Sequence, residues 1–247
     1  MSIPPYPLIL AHRGASHAAP ENTMHAFAQA VIDGADGIEC DCRLTADGQV
    51  VIIHDATLDR TTNGHGLVSS HTWNQLKSLD ATGADLLEPP AAHRIPLLED
   101  LFQLPSSFVL NLELKETIPE RRDLLIENVA NAILDNGWES RTIVSSFDHH
   151  ALRLFKNRYP HIRLGALWSA RLVDPLAIMT STGAQYAHVD GEFLMQDDIA
   201  FLHHQGIEVI AWNVPTLEDA ITLQHAGIDG LIVDYPEWST QLQPHVT

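Results

Sequence analysis

Apolar residues along this chain fall into short runs, separated by longer stretches in which they recur every three or four positions. The runs at 8–11, 37–44, 50–53 and 108–114 have the length and composition of strands, as do those at 142–145, 163–167, 185–189, 208–212 and 230–233. Helical patterns lie between them at 23–33, 121–136, 149–158, 175–182, 196–205 and 217–226. Asn22 or Thr23 stands where the first helix needs a cap, and Gly137 where the second needs a left-handed stop. Gln205-Gly206-Ile207 and Ala226-Gly227-Ile228 mark two helix-to-strand turns of one kind. Residues 45–49, between the second and third strands, are too few for a parallel crossover, so this pair is expected to form an antiparallel hairpin. From about 58 to 96 the alternation lapses, with one short helix expected around 73–79. The other strands, separated by single helices, must pair in parallel. Their number favours a closed α/β barrel, made irregular by the hairpin.

Composition narrows what such a barrel does. Its 247 residues suit one large domain, and 45% hydrophobic with 19% charged residues is the balance of a globular protein. Thirty-two acidic against 14 basic residues give a formal net charge of −18, which repels phosphate backbones and argues against nucleic-acid binding. A small anion can still bind where local positive charge reverses the field. No apolar run reaches membrane-spanning length, and residues 1–5 lack the basic and apolar regions of a secretory signal. Cys40 and Cys42 are too close in sequence for an unstrained mutual disulfide, so free thiols and a cytoplasmic location are expected.

The chemistry gathers at strand ends: Ala11-His12-Arg13-Gly14, Glu39-Cys40-Asp41, His54-Asp55 and Glu113-Leu114-Lys115. Glu39 and Asp41, two apart on a strand, share one face, while Cys40 and Cys42 share the other. Paired carboxylates on an inner rim repel unless something positive lies between them. With Glu113 as a third, they suit one hard divalent cation, Mg²⁺ or Ca²⁺. His12 and His54 can move protons near neutral pH, as cleavage of a phosphodiester requires on either side of phosphorus. Arg13 can grip phosphate with a planar fork and Lys115 can add a point charge. Most of the 15 histidines must have other roles; His17, His65 and His188 fall near rim loops and rank second as candidates.

These pieces recur in order with Pro20-Glu21-Asn22-Thr23, Leu58-x-Arg60-Thr61-Thr62-x-Gly64 and Pro96-Leu97. Ser145-Ser146-Phe147, Trp212-Asn213-Val214 and Gly230-Leu231-Ile232-Val233-Asp234 continue the series. The ordered set resembles the glycerophosphodiester phosphodiesterase family over nearly the whole chain. The resemblance implies a single-domain irregular TIM (β/α)8 barrel over 1–247, with a small insertion at about 56–96 after the hairpin. It implies metal-dependent hydrolysis of glycerophosphodiesters, such as glycerophosphocholine or glycerophosphoethanolamine, to sn-glycerol 3-phosphate and an alcohol. By position, Glu39, Asp41 and Glu113 would bind the metal, and His12 and His54 would be the acid–base pair. Arg13 and Lys115 would bind phosphate, Glu21 would lie near the first histidine, and Trp212 would wall the glycerol. The rival readings are a lysophospholipase D-like phosphodiesterase and a noncatalytic barrel that binds a phosphorylated metabolite.

Overall fold

The computed structural model describes residues 7–83, 90–116 and 118–242. The expectations for residues 1–5, and for 84–89 of the insertion, lie outside them. Among the described residues, eight parallel strands close a barrel: β1 (Leu8–His12), β2 (Gly37–Leu44), β4 (Val109–Leu114), β5 (Thr142–Ser146), β6 (Arg163–Trp168), β7 (Tyr186–Asp190), β8 (Glu208–Trp212) and β9 (Gly230–Val233). Pairing of β1 with both β2 and β9 completes the ring. The remaining strand, β3 (Val50–Ile52), runs antiparallel to β2, as the short connection requires. It is one residue shorter than the apolar run, although Ile53 N still donates to Asp41 O at 2.9 Å.

Helices α1 (Met24–Ile32), α3 (Pro119–Asp135), α4 (His149–Arg158), α5 (Pro175–Thr182), α6 (Gln196–His204) and α7 (Leu217–His225) surround the barrel, and α8 (Ser239–Leu242) follows β9. Their apolar faces, with Phe27, Val129, Phe155 and Ile199 among the buried residues, pack on the outward side chains of the strands. Cys40 and Cys42 lie in this outer layer as buried free thiols. Among the described residues between β2 and β4 no full barrel helix forms; a 3₁₀ helix, Leu98–Gln103, buries Leu98 and Leu101 in its place. Ahead of it, the insertion has its own small core of Val51, Ile53, Leu58, Val68, Leu76 and Ile95. Helix α2 (Trp73–Leu76) is shorter than expected: a capping box of Thr72 and Gln75 starts it, and Leu76 turns into this small core. No helix among the described residues is long and apolar enough to cross a membrane.

Local details place the rim. Thr23 caps α1, its hydroxyl accepting from Ala26 N at 3.2 Å, an arrangement typically worth about 1 kcal/mol. Gly14, at φ +83°, lets the turn after β1 lie against α1, where a Cβ would come within 2.7 Å of Ala26. Inside the barrel, Leu10, Val109, Ile143, Tyr186, Ile210 and Ile232 form an apolar floor beneath the strand ends.

Candidate active site

Strand β2 organises the centre because both of its edges are used. One edge pairs with β1 as far as His12 opposite Glu39, and then with β3 from Cys42 outward. Since β1 runs toward the rim and β3 runs back from it, their ends converge on Glu39–Asp41. Arg13 N donates to Glu39 O and Ile53 N to Asp41 O, each at 2.9 Å. His12 and His54 thereby come to line one cavity of about 260 Å³. The opposite edge of β2 pairs with β4, placing Asn111 beside Glu39 and Glu113 beside Asp41.

Glu39, Asp41 and Glu113 are all buried, with one ligand atom from each lying within 4.8 Å of the others. Burial first, and the nearby Asp41 carboxylate second, push Glu39 up to about 8. Burial raises Glu113 to about 7 even though Lys115 opposes it. The Lys115 ammonium lies 2.6 Å from Glu113 and 3.3 Å from Asp41. Crowded carboxylates that resist ionising together fit a hard divalent cation. Beside them, Asn111 lines the same cavity with both side-chain amide atoms buried and unpaired, which adds an oxygen donor suited to such an ion. The donor set therefore fits Mg²⁺ or Ca²⁺ better than a thiolate-seeking metal.

Each histidine is oriented by a carboxylate. The His12 Nδ1–H donates to Asp234 Oδ1 at 2.7 Å, and Ser16 Oγ donates to the same oxygen at 3.1 Å. The His54 Nδ1–H donates to Asp55 Oδ1 at 2.6 Å. A carboxylate can only accept here, so Nδ1 carries the proton and Nε2 is left as the second ring nitrogen of each. Burial alone would lower the proton affinity of His12, but Asp234 and Glu39 outweigh it and raise the pKa. For His54 burial prevails over Asp41 and Asp55, and the pKa is lowered.

The cations at the rim are already engaged. Arg13 donates from Nη1 to Glu21 at 2.9 Å, and its Nε lies 3.5 Å from Asp41. Arg13 and Asn22 both have φ +55°, a costly conformation for arginine that is held here by Asn22 N donating to Arg13 O at 2.9 Å. Asn22 Nδ2 also donates to Asp41 at 2.8 Å. The far wall is apolar, with Phe147 edge-on to Trp212 at 5.5 Å between ring centres.

Thus eight expected residues, His12, His54, Arg13, Lys115, Trp212, Glu39, Asp41 and Glu113, come together, and Glu21 joins them through Arg13. The second-rank histidines do not join them. His65 is exposed and pairs with Asp59, while His17 bonds the Asp234 carbonyl and packs at a tilt against Tyr235. His188 is buried in the barrel above Gly165, where a Cβ would come within 2.6 Å of its ring; burial holds its pKa down to about 3. The sequence alone assigned no role at the site to Asp234, Asp55, Arg60, Asn111 or Phe147, and offered Asn22 only as a helix cap, although the motif pieces contained most of them. A larger cavity of about 510 Å³, beside Asn213 and Asp219, has no histidine, lysine or arginine in its lining. The concentration of acid–base groups therefore distinguishes the candidate site better than volume does.

Residues 12–238 match the model of the glycerophosphoryl diester phosphodiesterase family. A glycerophosphodiester phosphodiesterase from Caldanaerobacter subterraneus subsp. tengcongensis is 40% identical over 235 residues, covering 93% of this chain and 95% of that one. One from Bacillus altitudinis is 36% identical, with 95% and 97% covered. An Oleispira antarctica phosphodiesterase, solved in complex with the product sn-glycerol-3-phosphate, superposes with a TM-score of 0.86 at 28% identity, covering 96% of each chain. The chain belongs to the glycerophosphoryl diester phosphodiesterase family, and it is a phosphoric diester hydrolase built on an irregular TIM barrel.

Proposed function

We propose that this enzyme hydrolyses small glycerophosphodiesters, such as glycerophosphocholine or glycerophosphoethanolamine, to sn-glycerol 3-phosphate and an alcohol. The observation that carries this reading is the pair of carboxylate-held histidines in one small cavity with a buried carboxylate triad. A phosphorus between the two rings would be open to in-line displacement. One Nε2 accepts the nucleophile's proton as the new P–O bond forms. The other imidazolium donates a proton to the departing alkoxide as the old P–O bond breaks.

Glu39, Asp41 and Glu113 would hold one Mg²⁺ or Ca²⁺, which supplies fixed positive charge to the phosphoryl oxygens. Arg13 presents its guanidinium to the phosphate, with Glu21 setting its direction. Lys115, poised between the triad and Phe147, adds a point charge at the same place. Trp212 and Phe147 cover the glycerol carbons and exclude water from that side. The buried free thiols support a cytoplasmic setting.

Chelated enzyme assayed on a panel of glycerophosphodiesters and lysophospholipid, with Mg²⁺, Ca²⁺, Mn²⁺ or Zn²⁺ restored, tests substrate and metal together. Glycerol 3-phosphate release that depends on a hard cation supports the reading. Equal release under chelation, or turnover of lysophospholipid alone, contradicts it. A substrate lacking the glycerol 2-hydroxyl distinguishes water from that hydroxyl as nucleophile, since undiminished turnover rules out an intramolecular attack.

A further inference from the structure

We infer that Arg60, contributed by the insertion, is a positioning residue that orients His54 and Arg13 together. The inference rests on the roles proposed above for those two side chains. Both edges of its guanidinium are used. Nε and Nη2 donate to the two Asp55 oxygens at 2.7 and 3.1 Å, and Nη1 and Nη2 donate to the two Glu21 oxygens at 2.7 and 2.8 Å. Each carboxylate then spends one of the same oxygens on a rim group: Asp55 Oδ1 accepts from His54 at 2.6 Å, and Glu21 Oε1 accepts from Arg13 at 2.9 Å. A single chain, His54–Asp55–Arg60–Glu21–Arg13, thus ties the end of β3 to the end of β1.

Arg60 is itself held by a turn. Thr62 donates to Leu58 O through both its amide, at 3.0 Å, and its hydroxyl, at 2.8 Å, and Leu58 is buried in the core of the insertion. With Arg60 removed, Asp55 and Glu21 lose the planar partner that fixes their rotation. Glu21 is then steered by its bond to Arg13 rather than by the planar Arg60 fork, and Arg13 is left between Glu21 and Asp41. Lysine cannot replace it, because one ammonium has no pair of coplanar edges to present to two carboxylates. Arg60 is also 47% exposed, and ion pairs so exposed contribute little to folding stability. Its substitution should therefore leave the barrel folded.

The test compares Arg60→Ala, Arg60→Lys and His54→Ala on glycerophosphocholine with cation present. Arg60→Ala is expected to lower kcat by about 10–100-fold, the usual cost of losing a group that orients another. KM should change less, Tm should barely move, and Arg60→Lys should recover little. Guanidinium ion added at non-denaturing concentration should restore part of the lost kcat in Arg60→Ala and none in His54→Ala. Arg60→Ala with near-normal kcat beside an inactive His54→Ala overturns the positioning role while leaving the proposed reaction standing. So does a loss that guanidinium does not restore. An active His54→Ala instead overturns the reaction assignment itself.

Discussion

The two histidines reach one cavity by opposite routes. His12 ends a barrel strand, and its carboxylate partner, Asp234, is 222 residues away in sequence; the pairing of β1 with β9 brings them together. His54 lies two residues past the end of the added antiparallel strand, and its partner, Asp55, is the next residue, steadied by Arg60 from the insertion. Their surroundings differ accordingly. His12 has Asp234 on one ring nitrogen and Glu39 3.9 Å from the other, so its proton is held more tightly than usual. His54 is partly buried with Arg13 and Lys115 nearby, and its proton is held less tightly. A barrel closure and a local loop can thus produce the same Nδ1–carboxylate geometry while separating the proton affinities of the two rings, as an acid–base pair requires.

The largest effect should come from deleting either ring. His12→Ala and His54→Ala are each expected to lower kcat by about 10²–10⁴-fold, measured as glycerol 3-phosphate release. A near-normal rate for either would break the comparison, since that ring would then stand outside the chemistry. Removing a partner carboxylate should cost less. Asp234→Asn and Asp55→Asn are expected to lose about 10–100-fold in kcat. Asp55→Asn should also raise KM, because it loosens the Arg60–Glu21–Arg13 chain, and equal KM effects from both variants would argue against that linkage.

A cation bound by the triad should stabilise the fold by about 2.7 kcal/mol at a hundredfold excess over Kd. For a chain of this length that is a Tm rise of about 5–10 °C. Asp41→Asn should abolish the rise. A rise that persists would place the cation elsewhere.

The smallest and sharpest effect is on titration. Imidazole signals followed by NMR should give His12 a pKa above 6.5 and His54 a pKa below it. The linked stability has opposite signs. The contribution of His12 is present below its unfolded value and lost as pH rises through its folded one. That of His54 is present above its unfolded value and lost as pH falls. Urea melts should therefore show His12→Ala flattening the alkaline side of the stability profile and His54→Ala the acid side.

How much of this was legible in the sequence follows from how local each contact is. Period-two alternation put Glu39 and Asp41 on one face, and a five-residue connection was enough to predict that β3 would return beside them. The carboxylate triad was legible too, because β2 and β4 are strands whose ends carry their own acids. The role of Asp234 was not, since nothing in a strand-end aspartate announces a histidine at the opposite end of the chain. Arg60 was hidden differently. It lies where the apolar alternation lapses, and its two forks depend on a turn held by Leu58 and Thr62 rather than on any periodic element. His188 shows the converse: its place before a strand end recommended it, but Gly165 opposite makes room for a ring buried in the barrel rather than one at the rim.

That both histidines serve one reacting phosphorus is tested most directly by combining their deletions. In the His12→Ala/His54→Ala double variant, kcat for glycerophosphocholine should fall no further than about threefold below the worse single variant, as for groups that act as a unit. A double variant whose loss equals the product of the two single losses would contradict the account, because the rings would then be contributing independently.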